Sequence, residues 1–477
     1  MQEKKQVKSI PRKADDLSEW YTQVCLRAQL VDYTPVRGCI ALRPYGFAIW
    51  ELIQAEFDRR FKATGHSNAY FPLLIPESLL VKEAEHVEGF APEVAWVTQG
   101  GGEVLTERLA IRPTSEAIIG TMYSRWIQSH RDLPVLINQW CNVVRWEKAT
   151  RPFLRTLEFL WQEGHTVHAS EAEAAEEVQR MLEIYREVAE DVLALPVIKG
   201  RKSESERFAG AVATYAIEAL MPDGKALQAG TSHEFGQNFS KAYDITFTDV
   251  DEKVKHAYTT SWGVSWRIIG GLIMAHGDDR GLILPPAVAP HQVVIVPIVK
   301  TGDETVMPVA RALRDELGQQ VRVLLDEREQ SPGWKFSEWE MRGVPLRIEI
   351  GPRDVAQKSV TVVRRDVPGK TVVPLPEIAG RVPALLEDIR RAMHERAREW
   401  RDAHTIEATD RDAFVEALKR QDGFVLAPWC ERPECELDIK AATSAVTRVM
   451  AGPAPAGSVC AYCGRPARVK AYFARSY

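Results

Sequence analysis

Residues 137–165, INQWCNVVRWEKATRPFLRTLEFLWQEGH, predict a β-hairpin on which much of the fold depends. Ile137 to Glu147 can alternate as a strand, because successive strand side chains point to opposite faces of a sheet. Lys148 to Leu154 is predicted as an exposed basic loop, since Pro152 breaks the alternation. A second alternating run follows, and an antiparallel return would place on one face Gln139, Cys141, Val143, Arg145 and Glu147, with Arg155, Leu157, Phe159, Trp161, Glu163 and His165.

The shared face of this hairpin has the chemistry of a nucleotide-binding surface. The forked guanidinium groups of Arg145 and Arg155 suit phosphate oxygens. An aromatic ring such as Phe159 can stack on a base, and a carboxylate such as Glu147 can accept a hydrogen bond from an exocyclic amine. The residues alone leave one alternative open, an amphipathic hairpin whose charges merely face solvent.

The composition is that of a multidomain globular protein. The 477 residues suffice for about two to four domains, and 27% charged with 45% hydrophobic residues is ordinary. No apolar run approaches membrane-spanning length, and residues 1–13 lack a signal-peptide core, so we expect a cytoplasmic protein with no membrane partner. The formal net charge of −5 does not support a nucleic-acid partner, but the chain after Asp438 has lysines and arginines and no acidic residue.

Two short polar segments admit both a structural and a functional explanation. Thr114-Ser115-Glu116 follows a predicted strand and Pro113, so it could simply cap the next helix. Gly230 to His233 follows a predicted hairpin over residues 215–228 and could be no more than a polar turn.

Four of the seven cysteines form two closely spaced pairs near the end of the chain, Cys430 with Cys435 and Cys460 with Cys463. Thiolate pairs at such spacing can close a tetrahedral zinc site, and a reducing cytosol disfavours disulfides. We therefore expect structural Zn²⁺, with free thiols as the alternative.

The element pattern predicts an α+β multidomain fold. Pro44 to Gly65 is a predicted helix, and Asn68 to Pro76 a strand interrupted by Pro72. After His291, strands alternate with helices, which predicts a mainly parallel sheet. The predicted domains are residues 1–288, residues 289–400 with a connecting helix, and residues 401–477 with the cysteine pairs.

The hairpin resembles motif 2 of the class II aminoacyl-tRNA synthetases, through Arg145-Trp146-Glu147 followed by Arg155 and Phe159. The helix from Pro44 with the strand after it resembles motif 1, the dimer contact of that family. The run from Gly270 to Leu282 resembles motif 3, as a strand or turn feeding a helix, with Arg280 as its arginine. Arg112 to Glu116 resembles the amino-acid-binding loop of class IIa enzymes, and Gly343 to Gly351 resembles their anticodon-binding domain.

The resemblance implies an antiparallel-sheet catalytic domain, an α/β anticodon-binding domain and a small zinc-containing C-terminal domain. It implies ATP with Mg²⁺ as substrate and catalytic ion, and it assigns roles residue by residue. Catalytic roles fall to Arg145 and Arg280; ATP binding to Arg145, Glu147, Arg155, Phe159, Gln228, Thr231 and Arg280; amino-acid binding to Thr114, Glu116, Arg145, Trp161, His165, His233, Ser261 and Gly263; and anticodon contacts to Lys335, Glu340 and Arg347.

Within class IIa, the chain most resembles prolyl-tRNA synthetases of the archaeal and eukaryotic type. The resemblance implies activation of L-proline by ATP, transfer to tRNA(Pro), and a homodimer joined through motif 1. No stretch between His165 and Arg280 is left over for an inserted editing domain. Two alternatives stay open: an enzyme for threonine, glycine or histidine, and a non-catalytic relative that binds tRNA.

Overall fold

The computed structural model describes residues 10–86 and 93–477, and for residues 82–86 it describes the backbone alone. In its described residues, the N-terminal unit (residues 10–288) contains four mostly antiparallel sheets, the largest of seven strands, with helices packed against them. Its strands are β1 (Val31–Tyr33), β2 (Ile40–Leu42), β3 (Ser67–Asn68), β4 (Leu74–Pro76), β5 (Trp96–Gly100), β6 (Glu103–Ile111), β7 (Val135–Val144), β8 (Glu158–His168), β9 (Val197–Arg201), β10 (Ala213–Leu220), β11 (Ala226–Gly236), β12 (Thr246–Thr248), β13 (Val254–His256) and β14 (Tyr258–Ser265). Its helices are α1 (Leu17–Arg27), α2 (Pro44–Ala63), α3 (Glu77–His86), α4 (Glu116–Trp126), α5 (Glu171–Glu187), α6 (Asn238–Tyr243) and α7 (Arg267–His276).

The predicted hairpin is β7 paired with β8, and it lies inside a seven-stranded sheet of order β3-β7-β8-β14-β11-β10-β9. Its antiparallel register sets Gln139 opposite Glu163 and Val143 opposite Phe159, as the alternation predicted. The regular strands end earlier than expected, so Arg145, with Glu147 and Arg155 beyond it, lies in the connection. The backbone N–H of Arg145 still donates to the carbonyl of Leu157, at 2.8 Å. The connection therefore begins as an extension of the ladder.

Helix α5 packs on one face of this seven-stranded sheet. It begins at the cap Ser170, whose side chain accepts from the backbone N–H of Glu173, and a π-helical turn, Val188–Val192, continues it. Tyr185 and Trp262 are buried beneath it with Phe57 and Phe61 of α2. This aromatic core covers one face of the sheet, while α4 and α6 pack against Val167 and Phe235 at one end of the other face.

In this unit the structure decides one open alternative and corrects one prediction. Residues 230–233 are not a turn, because they continue β11, where Ser232 pairs with Trp262 of β14. Gly270 and Gly271 are not a strand or turn before a helix, because they lie inside α7. A Cβ at Gly270 would lie 2.5 Å from Leu154 Cδ2, and one at Gly271 would lie 2.7 Å from Leu227 Cδ2. These glycines allow close helix packing.

The central unit, residues 289–403, has a five-stranded sheet of order β16-β15-β17-β18-β19. Three neighbouring strands are parallel, and the last two pairings are antiparallel, so the expected parallel sheet is only partly present. Its strands are β15 (Val293–Pro297), β16 (Val323–Leu325), β17 (Leu346–Ile350), β18 (Ser359–Arg364) and β19 (Thr371–Pro374), and its helices are α8 (Val306–Leu317), α9 (Pro332–Met341), α10 (Pro352–Ala356) and α11 (Leu375–Ala403).

The C-terminal unit, residues 404–477, contains a four-stranded sheet of order β20-β21-β23-β22. Its strands are β20 (Thr405–Glu407), β21 (Phe424–Trp429), β22 (Val446–Pro453) and β23 (Val469–Ala474), and its helices are α12 (Arg411–Arg420) and α13 (Pro433–Thr443). The Tyr477 hydroxyl donates to Asp223 Oδ2 at 2.8 Å, so the chain end is held at the β10–β11 turn. The three mixed α and β units confirm the predicted α+β multidomain class. In the described parts of the chain, no helix is both long and apolar enough to cross a membrane.

Candidate active site

A cavity of about 220 Å³ lies on the face of the seven-stranded sheet that α5 does not cover. Strands β8, β11 and β14 form its floor, and the loop before α4 closes one end. Eleven of the residues predicted for the site line this cavity: Thr114, Glu116, Arg145, Phe159, Trp161, His165, Gln228, Thr231, His233, Ser261 and Gly263. Their convergence from five separate segments makes this cavity the candidate active site.

A buried carboxylate, Glu163, organises the end of the cavity near α4. It accepts hydrogen bonds from the hydroxyl of Ser115 and from Gln139 Nε2, the latter at 2.8 Å, and lies 3.2 Å from His165 Nε2. Burial alone would raise its pKa, but these hydrogen bonds outweigh burial and hold the pKa of Glu163 below its ordinary value. Burial alone would lower the pKa of His165, but the hydrogen bond and charge of Glu163 raise it. The net shift of the His165 pKa is upward. The pair therefore favours a carboxylate beside an imidazolium.

The loop before α4 is more than a helix cap. Ser115 occupies the N-cap position, but its side chain makes no capping hydrogen bond and donates to Glu163 instead. Thr114 donates its hydroxyl proton to the Glu116 carboxylate, and both side chains line the cavity. A helix cap alone does not explain this arrangement, which points acceptor oxygens into the cavity.

Arg145 projects into the cavity from the end of β7. Its Nε donates to the carbonyl of Pro113 at 2.9 Å, which fixes the guanidinium plane. The guanidinium carbon lies 5.4 Å from the ring centre of Phe159 and 5.3 Å from that of Trp161. Burial lowers the pKa of Arg145 against the opposing effect of nearby carboxylates. The result is a held, desolvated cation suited to an anionic ligand.

The structure corrects the assignment of Arg280. This residue does not line the cavity; it is half-exposed beside the central unit, 3.7 Å from Glu340. Arg267, at the first position of α7, lines the cavity instead and donates from Nε to the carbonyl of Leu154 at 3.0 Å. Burial and repulsion from Arg145 lower the pKa of Arg267 to about 10. The structure thus places Arg267, and not Arg280, among the residues that line the candidate site.

Glu147 and Arg155 lie close together in the hairpin connection. Their Oε2 and Nε atoms are 3.7 Å apart, and both side chains are partly exposed. Neither residue is among those that line the cavity.

His233 contributes an uncharged polar group. Burial, followed by the charges of Lys202 and His165, lowers its pKa to about 3, so the ring is neutral near pH 7. Its Nδ1 lies 3.0 Å from the hydroxyl of Thr214, and its ring lies 4.7 Å from the ring of Phe208. Sequence reasoning missed Phe208 and Lys202, which line the same cavity from the segment after β9.

The four clustered cysteines meet in the C-terminal unit. Their Sγ atoms all lie within 4.8 Å of one another, with 3.6 Å between Cys430 and Cys463 and 3.8 Å between Cys435 and Cys460. A tetrahedral ion with Zn–S bonds of about 2.3 Å needs sulfur atoms about 3.8 Å apart. The donor set thus fits a four-coordinate soft metal ion, and it leaves no open position for catalysis.

Two of the three predicted anticodon residues share a cleft. Glu340 and Arg347 line it with Arg280, and Arg347 Nη1 lies 3.2 Å from Glu340 Oε1. Lys335 is buried elsewhere, where its ammonium donates to the carbonyl of Asp326 at 2.8 Å. The structure therefore does not bring Lys335 to this cleft, because burying the ammonium required an internal partner.

Comparison with known proteins assigns all three units. Residues 101–276 match the family described as "tRNA synthetase class II core domain (G, H, P, S and T)", and residues 292–385 match "Anticodon binding domain". Residues 411–477 match "Prolyl-tRNA synthetase, C-terminal". The chain is 56% identical to "Proline--tRNA ligase" of Symbiobacterium thermophilum and to that of Alkaliphilus oremlandii, covering 100% of this chain in both cases and 100% and 99% of theirs. The chain belongs to the proline–tRNA ligase family.

Membership in the proline–tRNA ligase family confirms the expected enzyme class, an ATP-dependent aminoacyl-tRNA synthetase of class II. A further relative, from Natranaerobius thermophilus, is 54% identical over 99% of this chain and 98% of its own. These full-length relatives are of bacterial type, so the comparisons do not support the archaeal and eukaryotic subtype expected from the sequence.

Proposed function

We propose that this proline–tRNA ligase activates L-proline with ATP in the cavity on the seven-stranded sheet and transfers it to the 3′ end of tRNA(Pro). This proposal rests on one observation: the Glu116 carboxylate lines the same cavity as the guanidinium groups of Arg145 and Arg267. A small ammonium-bearing substrate suits the first part, and a polyphosphate suits the second.

In the proposed first step, the proline carboxylate attacks the α-phosphate of ATP and pyrophosphate leaves. Neither this step nor transfer to the tRNA hydroxyl needs a protein nucleophile, so catalysis comes from positioning and charge stabilisation. Arg145 holds the α-phosphate and the carboxylate, and Arg267 takes the distal-phosphate role that the sequence had assigned to Arg280. Mg²⁺ accompanies the phosphates and neutralises part of their charge.

The proline pocket is proposed at the α4 end of the cavity. A secondary ammonium has two N–H donors, and the oxygens of Thr114 and Glu116 offer two acceptors. Trp161 and Gly263 supply the walls for the ring, while His165, His233 and Ser261 complete the polar rim.

The nucleotide half is proposed around Phe159, whose ring would stack on adenine while Glu147 accepts from the adenine amine. Arg155 would move from Glu147 to the phosphates when ATP binds. Gln228 and Thr231, on β11, would contact the nucleotide from the opposite side.

The C-terminal cysteines are proposed to hold one structural Zn²⁺. The donor set supports this because the four Sγ atoms lie within 4.8 Å of one another, as a tetrahedral site requires. The metal would hold α13 and the segment before β23 together, and would take no part in the reaction.

Further proposals concern partners. The cleft of Glu340 and Arg347 would contact the tRNA anticodon, and the match of residues 292–385 to the anticodon-binding family supports this position.

A homodimer would form around α2, where apolar side chains including Tyr33, Phe47, Tyr70 and Leu74 are exposed. The domain boundaries are proposed near 288 and 400, although α11 runs on to Ala403. We also propose a cytoplasmic location.

Pyrophosphate exchange into ATP, measured with each of the twenty amino acids, tests the proposal. Proline should support the fastest exchange. Faster exchange with threonine, glycine or histidine would assign the pocket to a sister enzyme, and a folded protein without any exchange would indicate a non-catalytic relative.

A further inference from the structure

A buried chain of charged side chains joins the C-terminal unit to the cavity at Gln228. Arg448, on β22, donates from Nη2 to Glu218 Oε1 at 2.6 Å. Glu218, on β10, lies 3.6 Å from Lys202 Nζ, and Lys202 donates to Gln228 Oε1 at 3.1 Å. Arg448, Glu218 and Lys202 are each at most 5% exposed.

Burial of this chain makes its geometry energetically demanding. Charges removed from water must be paired, because an unpaired buried charge strongly destabilises the fold. The backbones are also held close together, since a Cβ at Gly200 of β9 would lie 2.3 Å from the carbonyl oxygen of Met450 on β22. The two units therefore have little freedom to slide at this contact.

The chemistry of Lys202 determines the orientation of the Gln228 amide. An ammonium group is a donor without acceptor capacity, so only the carbonyl oxygen of the amide can face it. The amide nitrogen of Gln228 must then point away from Lys202, and Gln228 lines the reaction cavity. Its N–H groups are thereby available to an acceptor oxygen of the bound nucleotide.

We propose that Arg448, Glu218 and Lys202 act as positioning residues that fix the Gln228 amide for ATP binding. Arg448 neutralises part of Glu218, which leaves Lys202 shared between Glu218 and Gln228. Without Arg448, the Glu218 carboxylate draws Lys202 toward itself, and Gln228 loses the partner that sets its orientation. The C-terminal unit thus completes the ATP site without touching the substrate. This inference rests on the proposed function.

The test compares Michaelis constants for ATP and for proline in pyrophosphate exchange. Lys202→Met and Gln228→Met should each raise the Michaelis constant for ATP about tenfold, as expected for one lost hydrogen bond, and leave that for proline unchanged. The double variant should be no worse than either single variant, because both remove the same interaction. Arg448→Met should shift the ATP constant in the same direction, and Arg448→Lys should restore part of the loss.

Lys470→Met is the matched control, because it removes a cation from the same unit whose ion pair with Glu407 is at the surface. It should leave both constants unchanged. The inference is overturned if Lys202→Met leaves the ATP constant unchanged, if both constants rise together, or if the double variant shows additive losses. If Arg448→Met does not fold, the Lys202 and Gln228 cycle decides alone. Absence of proline-dependent exchange in the unaltered protein would instead overturn the proposed function.

Discussion

Replacing Arg267 with methionine tests the corrected identity of the distal-phosphate arginine. Methionine keeps much of the apolar length of the side chain and removes the charge that faces the cavity. We expect pyrophosphate exchange to fall about 10²–10³-fold, which corresponds to roughly 3–4 kcal/mol of lost charge stabilisation.

The same substitution should leave the fold intact. The pKa of Arg267 is lowered from 12.5 to about 10, so holding the cation in the unliganded cavity costs about 3 kcal/mol. Removing it relieves that cost but leaves the Leu154 carbonyl without its donor, a loss of about 1–3 kcal/mol. These contributions nearly cancel, so the thermal unfolding midpoint should hardly change.

Arg280→Met is the matched control. Its ion pairs with Asp278 and Glu340 are long and half-exposed, and such pairs contribute about 0–1 kcal/mol. Exchange kinetics, which require no tRNA, should be unaffected by this variant. Normal exchange in a folded Arg267→Met protein, or loss of exchange in Arg280→Met, would refute the reassignment.

Three further predictions concern metal, selectivity and acid stability. Gently purified protein should contain one zinc per chain, and elemental analysis without zinc would contradict this. Cys463→Ser should expose residues beyond about 425 to protease, because structural zinc contributes on the order of 10 kcal/mol to its local fold. Alanine and cysteine should support measurable exchange, because each missing methylene costs only about 1–3 kcal/mol. Pre-formed alanyl-tRNA should not be hydrolysed, since the described residues 165–280 are taken up by strands, helices and short connections. Burial lowers the pKa of His276 to about 3, so its neutral state stabilises the fold fully above about pH 6.5 and less as pH falls toward 3. His276→Gln should therefore reduce the slope of unfolding free energy against pH by about 1.4 kcal/mol per pH unit at pH 5. An unchanged slope would argue against a buried neutral ring.

The sequence predicted the hairpin and most of the cavity because strand alternation is a local property. Residues 139, 141 and 143 share a face with 159, 161 and 163 in the structure, as the period of two requires. The same rule does not reach Arg267, because β14 ends at Ser265 and Arg267 is the first residue of α7. In a sequence, glycines that serve helix packing, such as Gly270 and Gly271, resemble glycines that approach a ligand.

Long-range pairing could not be predicted from one sequence. Arg448 and Glu218 are 230 positions apart, and nothing local to either residue indicates its partner. Lys335 illustrates the reverse case, because an exposed basic residue and a buried one bonded to Asp326 look the same in sequence. Charged residues in the interior are selected by three-dimensional neighbours, which only the fold supplies.

Charging of tRNA transcripts by the purified protein tests the central claim most directly. One transcript carries the proline anticodon, and a second carries an altered anticodon on the same body. We expect proline to be attached to the first transcript far faster than threonine, glycine or histidine, and the second to be charged poorly. Rapid attachment of another of these amino acids, or no attachment of proline by protein that is folded and exchanges pyrophosphate, would contradict the account.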